Sequence, residues 1–530
     1  MSYQFPTRRL QSQDDAAMVA RPDVPRSKFS GSFSVKTTFD AGKLIPFHVE
    51  EVYPGDHFRY RFTPFVRTAT PLFPIMDSQR IDIHAFFCPN RLVYDDWVKL
   101  MGQQNAPGDS IAFSVPQCTS AGNGFAVGSL GDYLGLPTVG QPAAVLAVSL
   151  LPFRAYTRIC YEWFRDENLV TYNAQALLKD GVNAGEAVFP IRNRAKSHDY
   201  FTSCLPWPQK FVAPQITSPV IGLGVQTGVA TTAAAVTATE TPSIATPTGV
   251  RVYANAYQST GDQFIIDALG VNGVPQLFAQ SDINLFRQAM AVQTFLERMA
   301  RGGTRYTEIT ENIFGVRNPD ARLQRPEYIG GGSTPLQFTP IAQTAPTAGV
   351  PLGALGAAGT AVGNNSASYA ATEHGFIVCI LSVKSELSYS QGVHPMWDRK
   401  TLYDYYNPAF AGLGEQAVKV RQLYALGTAA DETVFGYQER WHELRTHWST
   451  VTGLFRPNAA GNIDEWHLAQ QFIPAPTLGE TFINDSPPMS RVLAAGALEA
   501  GKQYLADIHI QCEMTRPVPM YGTPASLGRF

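Results

Sequence analysis

Two histidines, a glutamate and an arginine share the segment His442-Glu443-Leu444-Arg445-Thr446-His447, the residue types of a zinc-dependent hydrolase helix. That chemistry needs the histidines four apart, so that both face one ion. Here they stand five apart, which turns them to different sides of a helix with about 3.6 residues per turn. They read as surface or interface histidines. Gly222, Gly224 and Gly228 miss the dinucleotide-binding spacing and have no strand–helix frame. Gly501-Lys502 lacks the upstream glycine and the hydroxyl residue of a phosphate-binding loop. The carboxylate pairs Asp14-Asp15, Glu50-Glu51 and Asp95-Asp96 are adjacent, so their side chains diverge on helix or strand. No G-x-S-x-G occurs. The sequence therefore offers no catalytic, cofactor-binding or metal residue, and the chain reads as a non-enzyme.

Cationic chemistry is better represented. Arg192, Arg194, Lys196 and Lys210 are interleaved with Tyr200, Phe201 and Trp207. Charge for phosphate and rings for stacked bases are what a sequence-blind single-strand binder uses. A subunit interface uses the same residue types. Arg192, Arg194, Lys196, Trp207 and Lys210 are thus DNA-contact candidates, with Arg8 and Arg9 of the polar first thirty residues. A second group of arginines (Arg301, Arg305, Arg322, Arg325) alternates with Glu297, Glu308, Glu311, Asp320 and Glu327. Balanced charge of this density suggests bidentate ion pairs at contacts. Arg154, Trp163, Arg165, Arg301, Arg305, Arg322, Arg325, Trp441 and Tyr521 are the subunit-interface candidates.

The elements that must position these residues are mostly strands. Phe33, Val35, Thr37 and Phe39 alternate with polar residues, as do Phe58, Tyr60 and Phe62, then Ile81, Ile83 and Ala85, and near the C-terminus Ala506, Ile508, Ile510, Cys512 and Met514. Period-two patterning predicts half-buried antiparallel strands. Phe376–Val383 is continuously apolar and suits a strand buried on both faces. Strands at both ends of the chain imply a sheet closed by non-local pairing, as in a Greek-key sandwich. Helices are predicted over Leu151–Glu167 and Asp282–Arg301, the latter with Leu285, Ala289, Val292, Leu296 and Met299 on one face. The six cysteines are scattered and read as free thiols of a reducing cytoplasm. No signal peptide or membrane-spanning run is read.

Charged residues are 16% of the chain and its net charge is −3, so no global basic field draws it to nucleic acid. Phe211–Thr239 and Tyr328–Thr372 carry no charge at all. Solvated linkers usually do carry it. Residues 211–280 are therefore expected to form an outward, self-associating insertion, and residues 328–372 an uncharged Gly/Ala/Thr-rich loop. The rest, 31–530, is expected to be one domain behind an arm of residues 1–30.

Six blocks, each dense in aromatics, Arg and Pro, occur in order: LPFRAYTRICYEWFRDENL (151–169), HDYFTSCLPWPQK (198–210), ARGGTRYTEI (300–309), PDARLQRPEYIGG (319–331), FGYQERW (435–441) and RPVPMYGTP (516–524). Together they resemble the major capsid proteins of the microviruses, most closely the gokushovirus branch, from about Phe29 to Pro524. The resemblance implies a mainly β fold: an eight-stranded antiparallel jelly roll of viral capsid type with large helical and loop insertions. It implies about sixty copies in a T=1 icosahedral shell, enclosing circular single-stranded DNA with a small basic internal DNA-binding protein. It implies that 211–280 forms a protrusion at each threefold axis that meets a host cell-surface receptor. The protein would reside in the virion, be assembled in the bacterial cytoplasm, need no cofactor and insert in no membrane. Two other classes compete on the residues alone. A β-sandwich carbohydrate-binding module or glycosidase would line a sugar groove with the aromatics, and a soluble single-strand DNA-binding protein would bind as a monomer.

Overall fold

The computed structural model describes residues 25–171, 177–214, 283–303, 305–342, 355–494 and 501–521, with short pieces at 244–245, 251–252, 344 and 353. Arg8 and Arg9, and most of 211–280, lie outside the described residues. The principal sheet has nine strands, one more than expected. They are β1 (Ser27–Phe39), β2 (Ile45–Val52), β3 (His57–Thr68), β4 (Gln79–Pro89), β5 (Glu327–Ala342), β6 (Leu355–Val362), β7 (Asn365–Ala370), β8 (Gly375–Ser385) and β9 (Tyr504–Arg516). Every pairing among them is antiparallel. The order is β1-β9-β3-β6-β5-β4-β8-β2, with β7 bonded to β5 and β3. The fold is a jelly roll of capsid type carrying insertions. The expected arm ends earlier than residue 30, because Ser27 already pairs with Arg516.

Alternation dictates which side faces in. Phe58, Tyr60 and Phe62 of β3 are buried, and on β9 so are Tyr504, Ile508, Ile510 and Cys512. Their register, with Tyr60 opposite Cys512 and Phe62 opposite Ile510, puts both sets in one core. Each such side chain contributes about 1.5–3 kcal/mol of burial, so this pairing outweighs the entropy of closing a long loop, which grows only logarithmically. β8 is buried on both faces because two cores meet on it. Ile377, Cys379, Leu381 and Val383 face the sheet interior, whereas Val378 and Ile380 face a second core. That second core is built on helix α1 (Leu151–Ile159), through Phe153, Tyr156 and Ile159.

The uncharged stretch 328–372 is not a loop. It supplies β5, β6 and β7 to the middle of the sheet. Its glycines mark close backbone approach. Gly331 has φ +152, and a Cβ there would stand 2.1 Å from the carbonyl oxygen of Ile83. A bulge between Tyr328 and Gly330 restores the register against β4. Composition alone suggested a loop because glycine in strands and in linkers looks alike.

The chain divides into two units, one of residues 1–208 with 304–530 and one of residues 209–303. The described part of the latter is chiefly α2 (Ile283–Gly302), in the predicted place. Among the described residues no helix is long and apolar enough to cross a membrane. All six cysteines are free and buried.

Candidate assembly and nucleic-acid surfaces

The blocks singled out in the sequence turn inward and meet one another. Block 151–169 begins as α1, with Pro152 at its first turn, and widens into a π turn over Cys160–Phe164. Arg154 is 3% exposed and donates to the carbonyls of Val93 and Asp180 and to the Asp180 carboxylate at 2.5 Å. Arg305, at the start of α3 (Tyr306–Phe314), forms an ion pair with Glu167 at 3.0 Å and donates to Glu308 at 2.8 Å. It also donates to the carbonyls of Tyr161 and Arg165. Burial pushes the Glu308 carboxyl up, with its hydrogen bond to Glu167 adding to the rise. Trp163 donates to the carbonyl of Pro326 at 2.9 Å, and Arg325 lies 4.3 Å over its ring while bonding Asp320. Arg165 sits 4.2 Å over Tyr161 and donates to the carbonyl of Val170. Three sequence-distant blocks are thereby stapled to each other within one subunit.

A second meeting joins 198–210 to 435–441. The Asp199 carboxylate accepts from the N–H groups of Phe201 and Thr202 and from the Tyr389 hydroxyl at 2.5 Å. Leu205 and Tyr437 exchange backbone hydrogen bonds, and Gln438 donates to the Tyr200 carbonyl. Tyr200 stacks between Trp448 and His442, the latter on a short 3-10 turn rather than a helix. Trp441 is 8% exposed at φ 63, its ring edge-on to Tyr406. The last block is pinned by Arg516, which reaches Glu50, Asp56 and the carbonyl of Glu51.

Several expectations are corrected by these contacts. Arg154 and Trp441 are interior residues, not interface residues. Arg305, Arg325, Trp163 and Arg165 are half-buried and committed to partners in their own subunit. Of the interface candidates, Arg301, Arg322 and Tyr521 are exposed. Among the DNA candidates, Arg194 forms a buried pair with Asp82 at 2.6 Å and donates to Ser382. Lys196 is 5% exposed, 4.7 Å from the Phe482 ring, and burial pulls its ammonium down to about 8. Both are committed to contacts within their own subunit. Arg192, Trp207 and Lys210 are half-buried. The physical reason is common to all: Arg and Lys bury their stems and use their heads on carbonyls and carboxylates, and in sequence such an internal clamp looks like a binding patch.

What the sequence reading missed lies elsewhere on the surface. On α2, Leu285 and Val292 of the predicted apolar face are 50% and 39% exposed, flanked by Phe286, Met290 and Phe295, all exposed. A second exposed aromatic run occupies 396–406. The signal available for it was an aromatic density that no strand or helix period explains.

Comparison with known proteins agrees with this architecture. Residues 17–526 match the model of a family described as capsid protein (F protein). Capsid protein VP1 of Bdellovibrio phage phiMH2K is 38% identical over 98% of this chain and 99% of its own. Capsid protein VP1 of Chlamydia phage 1 is 34% identical over 94% of this chain and 96% of its own. Capsid protein VP1 of Spiroplasma virus 4 is 33% identical over 96% and 97%.

Proposed function

The chain belongs to the capsid protein (F protein) family and is a structural protein of the phage virion, and from that premise we propose that about sixty copies close a small icosahedral shell around a circular single-stranded DNA genome. The observation that supports the self-association is the apolar surface of α2. Leu285 and Val292 of its apolar face are 50% and 39% exposed, and Ile283, Phe286, Met290 and Phe295 elsewhere on the helix are 45–69% exposed. Apolar surface of that kind is covered when another subunit meets it. The 211–280 insertion, uncharged as far as Thr239, adjoins α2 in sequence. Its proposed role is a surface protrusion at the threefold axis, met by a host receptor.

With a net charge of −3, the DNA is held by local patches and a small basic internal protein rather than by a global field. Since Arg194 and Lys196 are engaged within the subunit, the arm residues Arg8 and Arg9 are the proposed DNA contacts. Electron microscopy and sedimentation of the purified full chain test the shell. Closed particles containing nuclease-protected circular DNA are expected. Phe286→Ser with Phe295→Ser is expected to cut particle yield at least tenfold while leaving the melting temperature of dissociated subunits unchanged. A chain that stays single in every assembly condition overturns the proposal.

A further inference from the structure

Met396, Trp397, Leu402, Tyr403, Tyr405 and Tyr406 are each 51–79% exposed, within eleven residues of one irregular segment. The segment is not loose. Three short 3-10 turns (Pro395–Trp397, Leu402–Asp404 and Pro408–Phe410) each have a side-chain cap. His394 Nδ1 accepts from the Met396 N–H at 3.2 Å. The Asp404 carboxylate accepts from the N–H groups of Lys400 and Thr401 at 3.0 and 2.7 Å. Asn407 accepts from the Ala409 N–H at 3.0 Å. Caps of this kind fix the backbone before any partner arrives, which lowers the entropy lost on docking.

The charges of the segment are already spent inside the subunit. Asp398 pairs with Arg421 at 3.2 Å and Arg399 with the buried Glu443 at 3.5 Å. Lys400 and Asp404, of opposite sign, have no ion pair among the described residues, and the Asp404 carboxylate is taken up by the Lys400 and Thr401 N–H groups. What faces outward is therefore a neutral, rigid, aromatic surface. At roughly 150–250 Å² per whole aromatic side chain, the exposed fractions amount to an area on the order of 700 Å². That total, hydroxyls included, is comparable to the largest apolar patch of a typical monomer, about 300–600 Å². It approaches the ~800 Å² each partner gives to a standard stable interface.

We propose that residues 395–413 are a contact between neighbouring copies of this chain, an inference that rests on the shell reading above and names one of its interfaces. A second copy fits better than nucleic acid. A single-strand groove needs several unpaired cations beside its rings, and here Arg399 is committed to Glu443, which leaves Lys400 alone. The composition, rich in Trp, Tyr and Met with charges internally paired, is that of the fully buried centre of a protein interface.

The test uses the full chain. Trp397→Ser with Tyr403→Ser is expected to lower particle yield at least tenfold, while dissociated subunits keep the circular dichroism and melting temperature of the parent chain. A photo-crosslinking amino acid at position 403, which keeps an aromatic ring there, provides a second readout in assembled particles. An adduct to another copy supports the proposal. An adduct only to DNA or to a different protein, or no adduct together with undiminished hydroxyl-radical oxidation of Trp397 in particles, overturns it. If the parent chain forms no particles, the shell reading itself has failed. If the double variant assembles normally, only this contact has.

Discussion

The guanidinium of Arg305 lies 3.0 Å from the Glu167 carboxylate, and the two side chains are 17% and 9% exposed. The same fork bonds Glu308, the Tyr161 carbonyl of the π turn and the Arg165 carbonyl just after it. Removing it strands a nearly buried carboxylate, a loss of about 3 kcal/mol or more. Arg305→Ala is expected to show that loss in urea unfolding of dissociated subunits. Arg305→Lys recovers little of it, because one ammonium cannot serve two carboxylates and two carbonyls. A change below about 1 kcal/mol would reduce this staple to a surface ion pair.

Acid acts on the subunit through two buried histidines. Burial holds His48 and His84 each down to about 4, with the Arg194 charge adding to the effect at His84. As pH falls from about 6.5 toward 4, the unfolded chain takes up both protons and the folded chain neither, so each histidine withdraws stability, up to about 3 kcal/mol. Asp485 opposes this. Burial pushes its carboxyl up to about 6, so over the lower part of that window the folded chain is protonated first and gains stability. His84→Gln is expected to flatten the loss of stability between pH 6.5 and 5, and Asp485→Asn to steepen it. Urea midpoints of dissociated subunits across that range check both signs.

Close strand packing makes Gly331 the most exacting position in the sheet's middle. At φ +152, with the Ile83 carbonyl oxygen 2.1 Å from a built Cβ, alanine meets backbone that cannot rotate away. Gly331→Ala is expected to cost about 3 kcal/mol or more through strain and displaced pairing. Gly356→Ala, whose nearest neighbour would stand 3.7 Å away at an unstrained φ, is expected to change stability little. Comparable melting temperatures for the two variants would contradict the close approach.

How much could be read in advance divides along physical lines. The strands carrying Phe58, Tyr60 and Phe62 and carrying Ile508, Ile510 and Cys512 were legible because one face meets core and the other does not, which writes a period of two into the chain. β4 was less so. Asp82 sits among its polar positions yet is 4% exposed, since Arg194 arrives from a distant segment to neutralise it. Strands β5 to β7 were illegible because their glycines answer a neighbouring backbone that the local sequence does not contain. The aromatic and arginine blocks stood out as family signals, but their direction did not. Whether Trp163 points to Pro326 or to another subunit depends on where 319–331 returns in space, and no local pattern records that.

Lys196 offers the sharpest test of where DNA would lie in the proposed shell. If residues 192–210 formed a nucleic-acid groove, removing this cation would lower the DNA retained per particle and reduce the salt dependence of binding by about one phosphate contact. Its burial against Phe482 predicts otherwise. Lys196→Met keeps the stem packing and should leave the nucleotide-to-protein ratio of purified particles unchanged at low and high salt. Its effect should appear inside the subunit. The Lys196 charge is one of those restraining the Asp485 carboxyl, so without it that carboxyl titrates still higher. The Asp485 carbonyl-stretch signal in infrared difference spectra, assigned with Asp485→Asn, would move to higher pH. Loss of DNA without that movement would return Lys196 to the surface role its sequence context first suggested.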